Sequence, residues 1–179
     1  MSPRLEHRRD QPWAPPRFRG GSAWWGLCFL LAALLGGCGD QAHTAAAWIE
    51  SAAAAHAEAD TALEAAQVGQ GRDALVRFLA EPIPADMAAE DVRVVRQDAH
   101  WRLAEMALDD GEPVRALRHA NGGLAEGRGR DVFTANLLVS RGRAREALND
   151  PLRAASDYHE ALQINDALLH ELLDGVESE

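Results

Sequence analysis

The chain has 179 residues, 26% of them charged, and a formal net charge of −10 at pH 7. This length allows one folded domain, or one domain and a processed segment. The acidic balance argues against a protein that binds nucleic acid or anionic lipid through charge, and it favours basic partners.

The first 37 residues are organised like a bacterial export signal. Residues 1–22 contain five arginines among prolines, and residues 23–35 form an apolar run without a charged residue. A basic n-region followed by an apolar h-region is typical of a signal peptide. A membrane-spanning helix needs about 20 apolar residues, and this run is shorter.

The apolar run ends in Leu35-Gly36-Gly37-Cys38. This sequence resembles the lipobox of bacterial lipoproteins, where a peptidase cleaves before a cysteine that carries covalent lipid. The resemblance implies that residues 1–37 are removed, that Cys38 is lipidated and that residues 38–43 are a membrane tether. Gly39 after the cysteine favours the outer membrane over the inner one. A secretory signal cleaved elsewhere, an uncleaved anchor and an apolar helix of a cytosolic protein are the alternatives.

The predicted mature chain is more acidic than the precursor. From residue 38 onward there are 13 arginines and 26 acidic residues, which gives a net charge of −13. No cysteine follows Cys38, which excludes disulfide bonds, cysteine-ligated metals and a cysteine nucleophile from residues 44–179.

Residues 44–179 have the composition of an all-α domain. Alanine, leucine, glutamate and arginine are abundant, and no alternation of apolar and polar residues is long enough for a strand. Pro113 and Pro151 stand where a helix tolerates proline, in the first turn. Turn-forming residues divide the segment into predicted helices over 44–67, 72–81, 87–109, 113–126, 132–148, 151–164 and 166–174.

Two of these helices begin with related sequences. Residues 111–116 (Gly-Glu-Pro-Val-Arg-Ala) align with residues 149–154 (Asn-Asp-Pro-Leu-Arg-Ala) at an offset of 38 residues. Paired helices that repeat at this period predict a short solenoid. Segment 135–168 resembles a tetratricopeptide repeat, and segment 97–130 resembles one more weakly. The residues at repeat positions are Arg141, Gly142, Ala154, Asp157, Tyr158 and Ala161.

The resemblance implies a tetratricopeptide-like array of α-α hairpins, with a structural role for each of these residues. Small side chains at Gly142, Ala154 and Ala161 let helices approach closely, and Tyr158 fills the gap between them. Arg141 and Asp157 form an ion pair between the two helices of the unit. Residues 166–174 are expected to be a capping helix that lays its leucines on the last repeat. Whether residues 44–88 form a further unit stays open.

Tetratricopeptide arrays bind extended peptides or helices in a groove formed by the first helix of each pair. The resemblance therefore implies a partner-binding groove. Trp101 stands out because an exposed indole is a frequent interface anchor. The alternative is packing against the preceding helix pair, which we favour because Val94, Trp101 and Leu108 recur every seven residues. The candidate groove residues are Asp98, Trp101, Glu105, Asn136, Val139 and Arg143.

Sequence motifs of the common enzyme classes are missing from the chain. It has no Gly-x-Ser-x-Gly elbow, glycine-rich phosphate loop or His-Glu-x-x-His. The pairs His159-Glu160 and His170-Glu171 begin like a zinc motif but have no second histidine at the required spacing. Residues 127–130 could bind an anion, although a turn between units needs their glycines for its backbone. We expect no catalytic residue, no metal and no cofactor apart from the lipid on Cys38.

The sequence predicts a non-enzymatic lipoprotein, anchored in a bacterial membrane and facing the periplasm, that binds a basic protein or peptide through its helical repeats. An assembly factor or pilotin of an outer-membrane complex is an alternative within that class. A helical carrier or accessory protein for an apolar ligand is a second alternative, since helix bundles can hold cofactors between helices. A third is a structural protein that stacks with copies of itself through its terminal helices.

Overall fold

The structure, a computed structural model, describes residues 44–177, so residues 1–43 with Cys38 lie outside the described residues. The described part consists of α-helices and the turns between them, which confirms the predicted all-α class for this range. The helices are α1 (Ala45–Glu64), α2 (Val68–Leu79), α3 (Ala89–Asp109), α4 (Pro113–Ala125), α5 (Val132–Ala147) and α6 (Pro151–Glu177).

Side chains at the helix starts satisfy backbone amides that have no partner within the helix. The Thr44 hydroxyl accepts a hydrogen bond from the Ala47 amide, and the Asp131 carboxylate accepts one from the Thr134 amide. Such caps stabilise a helix by about 1 kcal/mol. Pro113 and Pro151 begin α4 and α6, as predicted.

One type of turn joins the helices of each pair. A residue with left-handed backbone lies at Ala66 (φ 56°), Gly111 (φ 70°) and Asn149 (φ 60°). The amide after it donates to a carbonyl five residues earlier, in the pairs Gln67 to Ala62 (2.7 Å), Glu112 to Ala107 (2.8 Å) and Asp150 to Arg145 (2.9 Å). This is the Schellman ending of a helix. Residues 44–88 thus contain the same helix–turn–helix as the two later pairs.

Small residues lie where the two helices of each pair approach closely. A Cβ added at Gly142 of α5 would be 2.8 Å from Tyr158 Cδ1 of α6, and one added at Gly71 of α2 would be 3.0 Å from Ala59 Cα of α1. The predicted close approach at Gly142 is confirmed. The buried small residues at equivalent positions are Ala59, Ala104 and Gly142 before the turns, and Gly71, Ala116 and Ala154 after them.

The core runs between successive pairs rather than inside each pair alone. The first cluster joins α1, α2 and α3, and in it the Trp48 and Phe78 rings lie 5.0 Å apart. The second cluster joins α4, α5 and α6 around Leu137 and Leu138. Because each pair buries its apolar surface on its neighbour, the pairs depend on one another for stability.

The predicted ion pair between the helices of the last unit is present. Asp157 is 2% exposed, and its Oδ1 lies 2.6 Å from Arg141 Nη2. Its Oδ2 lies 2.6 Å from Nη1 of Arg145, a partner that the sequence did not predict. The Asp157 carboxylate therefore links α6 to two successive turns of α5, through the guanidinium groups of Arg141 and Arg145.

Two helix boundaries differ from the prediction. α2 begins at Val68 rather than at residue 72, because Gly71 lies inside the helix and packs against Ala59. α6 continues to Glu177, so the predicted separate capping helix 166–174 is wrong. Nothing between residues 151 and 174 stops the helix, since Asn165 costs only a few tenths of a kcal/mol there.

The predicted capping role is also reduced. Leu168 packs against the second cluster, but Leu169, Leu172 and Leu173 are 54%, 70% and 55% exposed. One of the four predicted leucines therefore covers the last unit, and the other three lie at its surface.

Candidate functional site

Polar side chains join the first helices of the three pairs, α1 to α3 and α3 to α5. We call the surface that they form the first-helix surface. It contains all of the predicted groove residues, Asp98, Trp101 and Glu105 on α3 with Asn136, Val139 and Arg143 on α5, and the equivalent residues His56 and Asp60 on α1.

Glu105 joins α3 to α5. Its Oε1 accepts a hydrogen bond from the Ser140 hydroxyl at 2.7 Å, and its Oε2 pairs with the Arg143 guanidinium. Glu105 and Arg143 are 38 residues apart, so equivalent positions of successive units meet here. Arg143 is the only cation among the predicted groove residues, and its charge is already balanced.

A second set of charges joins α1 to α3. Asp60 pairs with Arg102, and Asp98 Oδ2 lies 3.5 Å from Nδ1 of His56. Burial lowers the pKa of His56 below 6.5, although the negative charge of Asp98 opposes that shift. The Asp60–Arg102 contact repeats the geometry of Glu105–Ser140, because both pairs occupy the same positions relative to the turns. The same ladder of contacts thus holds all three first helices together.

Trp101 was predicted either to be an exposed interface anchor or to pack against another helix pair, and its environment has features of both. Its side chain is partly buried and packs against the second cluster, around Leu137 and Leu138. Packing was the favoured interpretation, but against the preceding helix pair, whereas the observed contact includes residues of the following pair. Trp101 is still partly exposed, and Val139, at the equivalent position of α5, is exposed.

The first-helix surface has an open pocket at the N-terminal ends of α1 and α3, which we call the α1–α3 pocket. Its volume is about 640 Å³. Ile49, Val94 and Val95 form its apolar wall, and Ile49 is 42% exposed. Its lining is Ala45, Ala46, Ile49, Glu50, Asp86, Met87, Ala88, Asp91, Val94 and Val95.

All charged residues that line the α1–α3 pocket are acidic. Glu50, Asp86 and Asp91 are exposed carboxylates at its rim, and none of its lining residues is basic. An acidic rim around an apolar wall attracts a group that is both apolar and cationic. Sequence reasoning missed this pocket, although Ile49 and Val94 occupy equivalent positions of the first two units and alignment of those units would have paired them.

A second open pocket, of about 680 Å³, lies between residues 128–130 and α6. Its charges are mixed, because Arg128 and Arg130 face Glu160 and Asp166, and Arg128 Nη2 lies 2.9 Å from Glu160 Oε1. Gly127 has a φ of 138°, which favours the predicted backbone role of this turn over the capture of an anion.

Arg93 is the most buried arginine of the described residues, and sequence reasoning missed it. Its guanidinium donates to Gln97 Oε1 at 2.6 Å and to Asp131 Oδ2 at 2.7 Å, and it also pairs with Glu90. These carboxylates raise its pKa above the ordinary value. Gln97 in turn donates to the Gly127 carbonyl at 2.7 Å. The network fastens α3 to the α4–α5 connection, which is a structural role.

The histidines of the described residues have packing or surface positions. Burial and the neighbouring His119 lower the pKa of His100 to about 4, and the two rings are 6.0 Å apart. His159 and His170 are exposed on α6. Between residues 44 and 177, no three histidine, cysteine, aspartate or glutamate side chains are grouped so that they could hold a metal ion.

Comparison with known proteins leaves the fold and the site to be interpreted from the residues themselves. No protein-family model, curated protein or solved structure matches the chain. In the part that the structure describes, none of the helices combines the length and the apolar character needed to cross a membrane. Lipidation of Cys38 and binding at the first-helix surface stay predictions.

Proposed function

We propose that the protein is a non-enzymatic lipoprotein, tethered to a bacterial envelope membrane, that binds a protein partner through a tetratricopeptide-like array. The observation that carries this proposal is the turn that occurs three times, at Ala66, Gly111 and Asn149, each time with the same hydrogen bond. Three units are about the minimum for a stable helical array. Such arrays offer their first helices to a partner, which here are α1, α3 and α5.

A basic protein or peptide fits the first-helix surface better than an acidic one. An extended segment with an apolar side chain next to arginine or lysine would bury the apolar group against Ile49 and Val94. Its cation would then lie among Glu50, Asp86 and Asp91. Arg143 is already paired with Glu105, so this surface has little to offer a carboxylate. The net charge of −13 from residue 38 onward would steer a basic partner toward it.

Two peptides of opposite charge test the partner class. Fluorescent peptides of equal length, one alternating leucine with arginine and one alternating leucine with glutamate, are titrated with the full chain in detergent. We expect the basic peptide to bind and its affinity to fall with salt, since exposed charges are screened. Glu50→Gln with Asp91→Asn weakens that binding, whereas Glu64→Gln, an exposed carboxylate outside the pocket, does not. Equal binding of both peptides contradicts the proposal.

The membrane tether is supported by the order of basic residues, apolar run and Leu35-Gly36-Gly37-Cys38. The full chain is expressed in a Gram-negative host beside a Cys38→Ser variant, and the membrane-extracted products are weighed by mass spectrometry. We expect a chain that begins at Cys38 and carries lipid, and its loss in the variant. A product that retains residues 1–37 and carries no lipid would contradict the proposed membrane tether. It would leave the proposal of a helical array that binds a partner untouched.

A further inference from the structure

The α1–α3 pocket lies at the end of α1 from which the chain continues toward Cys38. Ala45, the first residue of α1, and Ile49, one turn later, both line the pocket. The Thr44 hydroxyl caps the helix directly before them. The segment that joins the lipid to the start of this helix therefore consists of residues 38–43.

Packing holds this end of α1 in place. Trp48 is fully buried, and its ring lies 5.0 Å from that of Phe78 in α2. The first turns of α1 cannot unwind to lengthen the tether without exposing that indole to water. Six residues span at most about 22 Å when fully extended, and five helical residues add about 8 Å. With Cys38 lipidated, Ile49 of the pocket thus lies within about 30 Å of the membrane surface.

The carboxylates at the rim of the pocket are unpaired. Those of Glu50, Asp86 and Asp91 form no ion pair and no hydrogen bond within residues 44–177. The carboxylate of Glu105, further along the first-helix surface, is by contrast occupied by Arg143. Unpaired carboxylates repel an anionic lipid surface and attract cations. The pocket is therefore kept off the lipid headgroups and open to a cationic segment beside them.

Resting on the proposed function, we infer that the partner is anchored in the same membrane, and that the α1–α3 pocket binds the basic segment of that partner next to the membrane. An apolar side chain of the segment packs on Ile49 and Val94, and the neighbouring arginine or lysine lies among the three carboxylates. The short tether keeps the pocket in the layer where such segments are concentrated. Confinement to one surface raises their effective concentration, so one small pocket is enough to hold the partner.

Energy transfer on vesicles tests this inference. The lipidated chain is placed in neutral phosphatidylcholine, because anionic lipid would bind the arginines of the probe itself. The probe is a peptide of alternating leucine and arginine that carries an acceptor dye. It is either free or attached to a lipid headgroup through a spacer of about 10 Å, which is about three residues. The donor dye is on Ala54→Cys, exposed and outside the pocket lining. At equal total concentration, we expect the attached peptide to bind about tenfold tighter or more.

A longer tether separates closeness to the membrane from mere attachment. An insertion of about 30 glycine and serine residues after Gln41 makes the tether about six times longer, which should weaken binding of the attached peptide by roughly tenfold. Binding of the free peptide should not change. Glu50→Gln with Asp91→Asn should weaken binding of both peptides, and the matched control Glu64→Gln should weaken neither.

Every other combination overturns the inference. If the free peptide binds and the attached peptide binds no tighter, the pocket does not take a segment next to the membrane, and the proposed function stands. Insensitivity to the inserted tether leads to the same conclusion. Binding of neither peptide removes the proposed function and this inference with it. Full energy transfer in the chain with Glu50→Gln and Asp91→Asn places the peptide outside the α1–α3 pocket.

Discussion

Gly111 and Asn149, 38 residues apart, have the same left-handed backbone and begin the same hydrogen-bonded turn. The sequence repeat at residues 111–116 and 149–154 therefore has a structural counterpart. Ala66 has this backbone as well, although alanine is not a residue that favours it. The third occurrence is what extends the repeat to the N-terminal pair of helices.

Substitutions at two of the left-handed turn residues, Ala66 and Gly111, should change the free energy of unfolding in opposite directions. Ala66→Gly should stabilise the protein by roughly 0.5–1 kcal/mol, because relief of left-handed strain outweighs the added freedom of the unfolded chain. Gly111→Ala should destabilise it by about 1 kcal/mol for the converse reason. Urea unfolding of both variants measures the free energies. A destabilised Ala66→Gly variant would show that the first turn is not equivalent to the second.

Close packing at Gly142 predicts a strong response to one methyl group. Gly142→Ala should lower the free energy of unfolding by about 1–3 kcal/mol, because its Cβ would press on the Tyr158 ring. Gly69→Ala is the control, since nothing lies within 4 Å of a Cβ there and alanine favours the helix. Thermal unfolding compares the two. Equal melting temperatures would mean that the two helices are further apart than described.

The buried carboxylate of α6 predicts a large loss on truncation. Asp157→Ala leaves Arg141 and Arg145 partly buried without their partner, which should cost about 3 kcal/mol. Arg153→Ala breaks the exposed pair with Asp150 and should cost no more than about 0.5 kcal/mol. Denaturant titration measures both variants. A small loss for Asp157→Ala would argue against the ion pair as a tie between α5 and α6.

The lowered pKa of His100 should make the protein less stable at acidic pH. Its folded pKa of about 4 lies below the ordinary 6.5, so between these values the unfolded chain binds a proton that the folded chain does not. The free energy of unfolding therefore falls as the pH drops from 6.5 toward 4, by at most about 1.4 kcal/mol per pH unit. His100→Gln should flatten this slope, and His170→Gln, at an exposed position, should not. Identical slopes in both variants would contradict the burial of His100.

Local sequence signals predicted most of the fold. The starts of three helices have local sequence signals, which are Pro113 for α4, the capping residue Asp131 for α5 and Pro151 for α6. These starts could therefore be predicted without knowledge of distant contacts. Errors arose where distant contacts decide. Gly71 looks like a helix stop, but its lack of a side chain admits Ala59 of the neighbouring helix.

The candidate site was only partly predictable for the same reason. The residues of α3 and α5 could be paired through the 38-residue offset. The α1–α3 pocket needs Ile49 to be paired with Val94 instead, at an offset of 45 residues, because α3 is longer than α5 and the connection before it is also longer than that before α5. A fixed period therefore misses it. Arg93 was also missed, because Asp131, and the Gly127 carbonyl to which Gln97 donates, come close to this part of α3 only in the folded chain.

Photo-cross-linking in intact cells that express the full chain tests the central claim most directly. A photoreactive amino acid replaces Ile49 in the α1–α3 pocket, or Ala54, an exposed residue of α1 that does not line the pocket, as the control. We predict that Ile49 cross-links to a discrete basic protein in the membrane fraction, that Ala54 does not, and that Glu50→Gln with Asp91→Asn reduces the product. Cross-linking that is equal at the two positions, or absent at Ile49, would contradict a partner-binding role for the first-helix surface.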